Sequence, residues 1–113
     1  MTFVFSSSFT INTNPQRIKP EKGYIEVVFS RQLDFNDLVK IKLDMANKGA
    51  VLNYKSMAFD ENGKLKSINF SIDFKDGFSG TAWDDQLTNQ SRFGFFRNYD
   101  KNSASPFGTG KLP

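Results

Sequence analysis

The sequence predicts a single α+β domain, with one helix packed on one face of a four- to five-stranded, mainly antiparallel sheet. A length of 113 residues matches one domain. One segment has apolar residues at helical spacing between two capping signals, and several short segments alternate apolar and polar residues around turn sequences. The order strand, helix, strand, strand, strand is typical of the α+β class.

The first predicted strand covers residues 1–12. Its apolar residues of one parity are Phe3, Phe5, Phe9 and Ile11. This period-two spacing indicates a half-buried strand. Residues 13–23 contain two prolines and a glycine, which predict a connecting loop. The loop can also act as a hinge that lets the first strand pair elsewhere, including with another chain.

Residues 24–83 contain the predicted β-α-β-β-β core. The β-branched and aromatic run at 24–30 indicates a buried strand. A helix is predicted to begin after Asp34, which can cap the first turn together with Asp37, and to end before Gly49. We expect its stripe to pack on the alternating stripe of a later strand. The two stripes are Leu38, Ile41 and Met45, and Ile68, Phe70 and Ile72.

Three further strands follow this helix. Residues 50–59 predict a strand whose parity shifts near Met57, and residues 64–74 alternate cleanly. The turn between them ends on Gly63, which we expect at positive φ, so the pair reads as a hairpin. A second turn leads into residues 78–83. Residues 84–113 are predicted to be a loop, a last strand within 92–99, and an irregular tail.

Two residue types are missing, and their absence excludes several chemistries. The chain has no cysteine and no histidine, which removes disulfides, thiolate nucleophiles, Cys-based metal sites and Ser-His-Asp arrangements. Asp84 and Asp85 are candidates for acid–base chemistry, but adjacent carboxylates on a loop more often stay solvated. The acidic turn at 60–63 suits a hairpin better than a calcium loop. We therefore predict no enzyme activity, no metal and no cofactor.

Thirteen phenylalanines are an excess for a domain of this size. Because Phe95 and Phe96 are adjacent, a strand through them points one ring to each face. The sequence thus suggests a partner-binding patch, since aromatics and arginine are enriched in binding hot spots. The candidate residues are Arg92, Phe93, Phe95, Phe96, Arg97 and Tyr99. The alternative is that these rings pack under the tail as a satellite core.

Residues 24–76 combine helix-packing, turn and strand positions in one pattern: Leu38, Ile41, Met45, Lys48, Gly49, Gly63, Leu65 and Ile68. In this pattern they resemble the small β-α-β-β module at the C-termini of bacterial beta-lactam-sensor-type membrane metallopeptidases. The resemblance implies an extracytoplasmic accessory domain in the periplasm or cell envelope. It does not imply peptidase activity, because that activity belongs to a His-Glu-x-x-His helix and this chain has no histidine.

The predicted function is a non-catalytic interaction or sensing module of the bacterial cell envelope that binds a protein or peptide at an open sheet edge or an aromatic patch. The alternative is single-stranded nucleic-acid binding through sheet aromatics and basic residues, although the net charge of +3 is not concentrated in one run. No segment is long and apolar enough to span a membrane. Sheet-edge pairing would also allow a homo-oligomer.

Overall fold

The computed structural model describes residues 23–90 and 92–113; the predicted strand 1–12 and all but the end of the predicted loop 13–23 lie outside these residues. The described residues form one helix and six strands. In chain order they are β1 (Tyr24–Val28), α1 (Phe35–Asn47), β2 (Val51–Phe59), β3 (Leu65–Asp73), β4 (Ser79–Asp84), β5 (Phe93–Asn98) and β6 (Phe107–Lys111). Within this part of the chain, no helix has the length and apolar character needed to cross a membrane.

The six strands form two antiparallel sheets of three strands each, in the orders β2-β3-β4 and β1-β5-β6. The α+β class is confirmed, whereas the prediction of one sheet with four or five strands is wrong. The two sheets approach each other where β4 lies beside β6. A Cβ atom added at Gly80 would lie 3.0 Å from the Thr109 side chain and 3.3 Å from Phe107. The neighbouring edges of the two small sheets therefore meet along β4 and β6.

The β2–β3 hairpin closes as its sequence predicts. Gly63 has a φ of +79°, the left-handed region that glycine adopts without steric cost. The Asp60 carboxylate accepts hydrogen bonds from the backbone N–H groups of Asn62 at 2.8 Å and Lys64 at 3.0 Å. The Asp60 N–H donates to the Lys64 carbonyl at 2.8 Å, which closes the turn. These contacts fix the geometry of the acidic turn.

A bulge interrupts β2. Tyr54 pairs with Phe70 and Ser56 pairs with Asn69, so Lys55 has no partner of its own on β3. An extra residue of this kind reverses the inward and outward alternation of the strand. The predicted shift of parity within this strand is thus confirmed.

Helix α1 begins at the predicted cap. The Asp37 N–H donates to the Asp34 carboxylate at 2.9 Å, and the Asp34 N–H donates to the Asp37 carboxylate at 3.0 Å. This reciprocal capping box satisfies two of the backbone donors that a helix start leaves without partners. Gly49 follows the last turn with a φ of +88°, which stops the helix where the sequence predicts.

The last strand lies where an irregular tail was predicted, and this prediction is wrong. Gly108 and Gly110 weaken the strand signal of the segment because glycine is depleted in strands. The structure supplies a reason for Gly108. A Cβ atom there would lie 2.5 Å from the ring of Phe96, its partner across the β5–β6 pair. The glycine at position 108 therefore leaves the space that the Phe96 ring occupies across the β5–β6 pair.

The core joins the two sheets through phenylalanine rings centred on Phe70. Its ring centroid lies 5.1 Å from that of Phe29, 5.7 Å from that of Phe95 and 5.8 Å from that of Phe93. Contacts at these distances and tilted angles are favourable for aromatic pairs. The buried cluster contains both predicted stripes, except that Ile41 is only partly buried at its margin. The helix itself packs mainly against β2.

Candidate functional site

The predicted aromatic patch at 92–99 is mostly inside the protein. Phe95 is fully buried and Phe93 nearly so, both in the core between the sheets. Phe96 points to the other face of β5, where its ring lies against Gly108 and stacks on Tyr24 with centroids 6.0 Å apart. The three phenylalanines therefore form no exposed surface. Phe96 packs against the tail at Gly108, as the satellite-core alternative expected.

The two arginines of this segment have partners within the chain. Arg92 pairs with Glu26 at 2.5 Å and also donates to the Pro113 carbonyl. Arg97 is buried, pairs with Asp76 at 2.8 Å, and lies 4.4 Å over the ring of Tyr99. A role in partner binding remains a prediction for this segment, and it rests on Arg92 and the half-buried Tyr99 rather than on phenylalanine rings.

The candidates Asp84 and Asp85 do not converge with the other carboxylates of the second half of the chain, Asp76 and Asp100. Asp76 and Asp84 stand at opposite ends of β4, and Asp84 accepts a hydrogen bond from the Gln86 N–H at 2.9 Å. Asp85 is exposed, and Asp100 accepts from the Asn102 N–H at 3.0 Å. Among the described residues, no group of three or more His, Cys, Asp or Glu side chains is placed to hold a metal ion.

One face of helix α1 carries exposed apolar side chains. Phe35, Val39 and Leu43 are 54%, 39% and 59% exposed and recur every four residues, which places them on one face of α1. We call these three residues the outer stripe. The face that packs on the core carries Leu38 and Met45 instead. Helix α1 thus has a wider apolar surface than the described domain covers.

A groove of about 260 Å³ runs between the outer stripe and strand β2. We call it the α1–β2 groove. The residues that line it are Phe35, Leu38, Val39, Lys42, Asn53, Tyr54 and Met57. Asn53 and Tyr54 are consecutive in the strand and so point to opposite faces of the sheet. Because Asn53 and Tyr54 both line the groove, the groove runs along the edge of β2 and is not confined to one face of the sheet.

This edge of β2 is unpaired within the described chain, because β2 is the outer strand of the order β2-β3-β4. An outer strand presents backbone N–H and C=O groups that another strand can pair with. The bulge at Lys55 divides this edge into a four-residue part, Val51–Tyr54, and a part that follows the bulge. The first part carries two groove residues and offers the regular backbone geometry that strand pairing needs.

Tyr54 fixes the distance between the groove walls. Its hydroxyl donates to the Leu38 carbonyl at 2.7 Å, and its ring meets Phe29 edge to face with centroids 6.1 Å apart. Burial raises the pKa of Tyr54, so the phenol keeps its proton and remains a donor throughout the neutral range. On the opposite side, Phe35 meets Phe59 edge to face at 6.3 Å. The groove is therefore preformed by contacts between helix and strand.

The charge along the groove is positive. Among the described residues that line the groove, Lys42 is the one ionisable side chain besides Tyr54, and Lys55 is exposed on the adjoining edge. Asp37, nearer the start of the helix, is engaged in the capping box. The groove therefore presents apolar walls, open backbone groups and a single ammonium group.

The comparisons with known proteins return no match: no family model, no curated protein and no solved structure is similar to this chain. The resemblance to the metallopeptidase module stays a prediction.

Sequence reasoning missed the outer stripe, although the signal is present. Leu38, Ile41 and Met45 explain the buried face, and the positions 35, 39 and 43 form a second series with a spacing of four. A helix with two apolar series is either buried on both sides or exposes one of them. The sequence could not decide between these outcomes, because the answer depends on which strands pack beside the helix.

Proposed function

We propose that this chain is a non-catalytic interaction module that binds an extended segment of a protein partner along the α1–β2 groove. One observation carries the proposal: the outer stripe of α1 lies exposed beside an unpaired strand edge. An added strand receives backbone hydrogen bonds from the edge, and its alternate side chains enter the groove. This arrangement needs no catalytic group, metal or cofactor.

The residues that line the groove favour particular side chains in a bound segment. Phe35, Val39 and Met57 favour apolar side chains at alternate positions, since a strand turns every second side chain to the same face. Lys42 favours a carboxylate beside them. The partner is thus an extended segment with alternating apolar residues and at least one Asp or Glu. A bacterial cell-envelope setting for this interaction follows only from the resemblance described above.

The nucleic-acid alternative finds less support. Both candidate arginines are engaged, Arg97 with Asp76 and Arg92 with Glu26. The stacking platform proposed for it would need exposed rings near these arginines, but Phe93, Phe95 and Phe96 are buried. Binding to phosphates would show itself by a steep decrease in affinity with salt, because bound phosphates release counterions.

A peptide selection tests the proposed function. The full chain is used to select from a library of random ten-residue peptides, and each enriched peptide is then titrated against variants. We expect alternating apolar peptides whose affinity falls at least tenfold in Val39→Asp. We expect little change in Trp83→Ser, which alters an aromatic side chain that is 69% exposed on the other outer strand of the same sheet.

Two results would contradict the proposal. One is a selection that enriches no peptide, and the other is a set of peptides that bind the parent and Val39→Asp equally well. Circular dichroism of both variants is the control for folding. Since Val39 and Trp83 are both exposed, neither substitution should lower the melting temperature by more than a few degrees.

A further inference from the structure

The face of the β2-β3-β4 sheet that points away from the core carries polar side chains. Residues directly opposite each other in an antiparallel pair lie on the same face of the sheet. Two neighbouring rows across the three strands therefore share this face, and we call their six residues the polar face: Asn53, Ser71 and Thr81 in one row, and Ser56, Asn69 and Trp83 in the other. Phe70, between the rows on β3, points the opposite way into the core.

Trp83 is the exposed aromatic residue of the polar face. It is the one tryptophan of the chain, and it is 69% exposed. It lines two depressions, one of about 100 Å³ on the polar face and one of about 330 Å³ towards β6. An indole has two wide apolar faces and an N–H donor at its edge. Trp83 therefore offers a ring on which a flat ligand can stack, beside polar side chains.

The other row lines a wider depression of about 400 Å³, which Asn53, Ser71 and Thr81 share. Hydroxyl and amide groups each donate and accept hydrogen bonds. The charged residues of the same depression, Asp73 and Lys75, pair with each other at 3.7 Å. This part of the polar face therefore suits a neutral ligand with many hydroxyl groups.

Asn69 contributes an acceptor that the fold leaves unused. Its Oδ1 atom is shielded from solvent and accepts no hydrogen bond. Buried polar atoms in proteins nearly always have partners, so an acceptor without one needs an explanation. Asn69 lines the same depression as Trp83, and its terminal amide torsion is soft. A small rotation of the amide would present this oxygen to a hydroxyl group of a ligand stacked on Trp83.

We propose that the polar face binds a neutral β-1,4-linked oligosaccharide of the glucose type. One pyranose ring stacks on Trp83, and the next lies over Ser71 and Thr81. Such a ring has axial C–H groups on both faces, which meet the negative face of an indole, and its equatorial hydroxyl groups point outward to neighbouring side chains. Residues two apart in a strand are separated by about 7 Å, so a disaccharide reaches both rows.

Charge favours a saccharide over a nucleic acid at this face. Asp84 and Asp85 line the depression beside Trp83. Carboxylates accept hydrogen bonds from hydroxyl groups but repel phosphates. The site is also distinct from the α1–β2 groove, with which it shares only Asn53. The inference therefore does not rest on the proposed function.

Tryptophan fluorescence of the full chain gives a direct test, because Trp83 is its only source of indole emission. The chain is titrated with cellotetraose and with tetra-N-acetylchitotetraose. We expect a saturable change of intensity, with emission shifted to shorter wavelength, for at least one of the two. Calorimetry measures the affinity of the variants, including those that lack the indole.

Substitutions connect this binding to the polar face. Trp83→Ser should weaken it at least tenfold, Trp83→Phe severalfold because the ring is smaller, and Thr81→Val severalfold because the shape remains while the hydroxyl is lost. Tyr24→Ser, which removes an aromatic side chain that is 54% exposed on the other sheet, is the matched control and should bind as the parent does. Melting temperatures within a few degrees of the parent show that the variants are folded.

Three results would overturn the proposal. They are no binding of either tetrasaccharide, equal affinity in the parent and Trp83→Ser, and a fluorescence change with a ten-residue oligothymidylate but with neither saccharide. The saccharide should bind Val39→Asp as it binds the parent. If the saccharide binds and no peptide is selected, the polar face is a saccharide site and the interaction function fails. If selected peptides depend on Val39 and no saccharide binds, the reverse holds.

Discussion

Arg97 on β5 and Asp76 in the β3–β4 turn form an ion pair with 2.8 Å between Nη2 and the carboxylate, and this pair connects the two sheets. The Arg97 guanidinium also donates to the Asn98 carbonyl at 2.8 Å and lies 4.4 Å over the Phe78 ring. A guanidinium held by an acid, a carbonyl and an aromatic face has most of its donors satisfied while it is buried. The pair is therefore a polar contact between the two sheets at the end of an otherwise apolar interface.

Loss of the Arg97–Asp76 ion pair should destabilise the domain. We expect Arg97→Met to lower the free energy of unfolding by about 2 kcal/mol, less than for a fully buried pair because the Asp76 side chain keeps contact with solvent. Asp76→Asn should have a smaller effect. Urea unfolding of both single variants and the double variant measures the coupling between them. Strictly additive effects would show that the two side chains do not stabilise each other.

Two substitutions compare the centre and the margin of the core. Phe70→Ala should lower the free energy of unfolding by about 4 kcal/mol, because it leaves a cavity among Phe29, Phe93 and Phe95. Ile41→Ala should have a smaller effect, about 1–2 kcal/mol, because Ile41 is only partly buried. Thermal and urea unfolding give both values. Equal losses would indicate that the helix contributes as much to the core as β3 does.

The hairpin turn allows a test of backbone strain alone. A Cβ atom at Gly63 would meet nothing within 4 Å, yet the residue has a φ of +79°. Gly63→Ala should therefore destabilise the protein by about 1 kcal/mol through its backbone, and Gly63→Val by more because of its branched Cβ. Asn62→Ala should be nearly neutral. Matching melting temperatures for Gly63→Val and Asn62→Ala would mean that the turn tolerates the extra strain.

Low pH should reduce the stabilisation that Asp60 gives to the β2–β3 turn. The Lys64 N–H, with the Asn62 N–H and the Arg31 guanidinium, holds the pKa of Asp60 below its ordinary value of 3.8. A carboxyl group with a lowered pKa in the folded state stabilises the fold above that ordinary value and loses this effect as the pH falls through the lowered pKa. We expect Asp60→Asn to lower the melting temperature at pH 6 and to differ little from the parent at pH 2. A constant difference across this range would assign the effect to something other than ionisation.

The local sequence predicted the elements better than their arrangement. The capping box of Asp34 and Asp37, the turn at Gly63 and the alternation of β3 depend on neighbouring residues, and each is confirmed. The choice of β1 as the partner of β5 depends on residues far apart in the chain, so no local pattern indicated two sheets. Strand β6 was missed because Gly108, whose lack of a side chain accommodates Phe96, and Gly110 both weaken the strand propensity of the segment.

The two surfaces that the sequence suggested for binding have different environments in the structure. An open sheet edge was one of the two expected binding surfaces, and β2 offers such an edge. The other, the aromatic segment at 92–99, turned out to have its phenylalanines buried, because β5 is the central strand of its sheet and both of its faces are covered. The position of a strand within a sheet decides this, and the sequence of the strand does not reveal it.

The bulge at Lys55 also bears on how this protein behaves at high concentration. Chains that stack into amyloid-type fibrils need six or seven consecutive residues of regular, uncharged strand from each copy. The edge of β2 offers four such residues before an unpaired lysine displaces the next ones. A short peptide can pair with that stretch. In a fibril, however, each stacked copy of the chain would place the charge of Lys55 and the bend of the bulge at the same position. The irregularity that limits the length of a ligand therefore also opposes fibril growth from this edge.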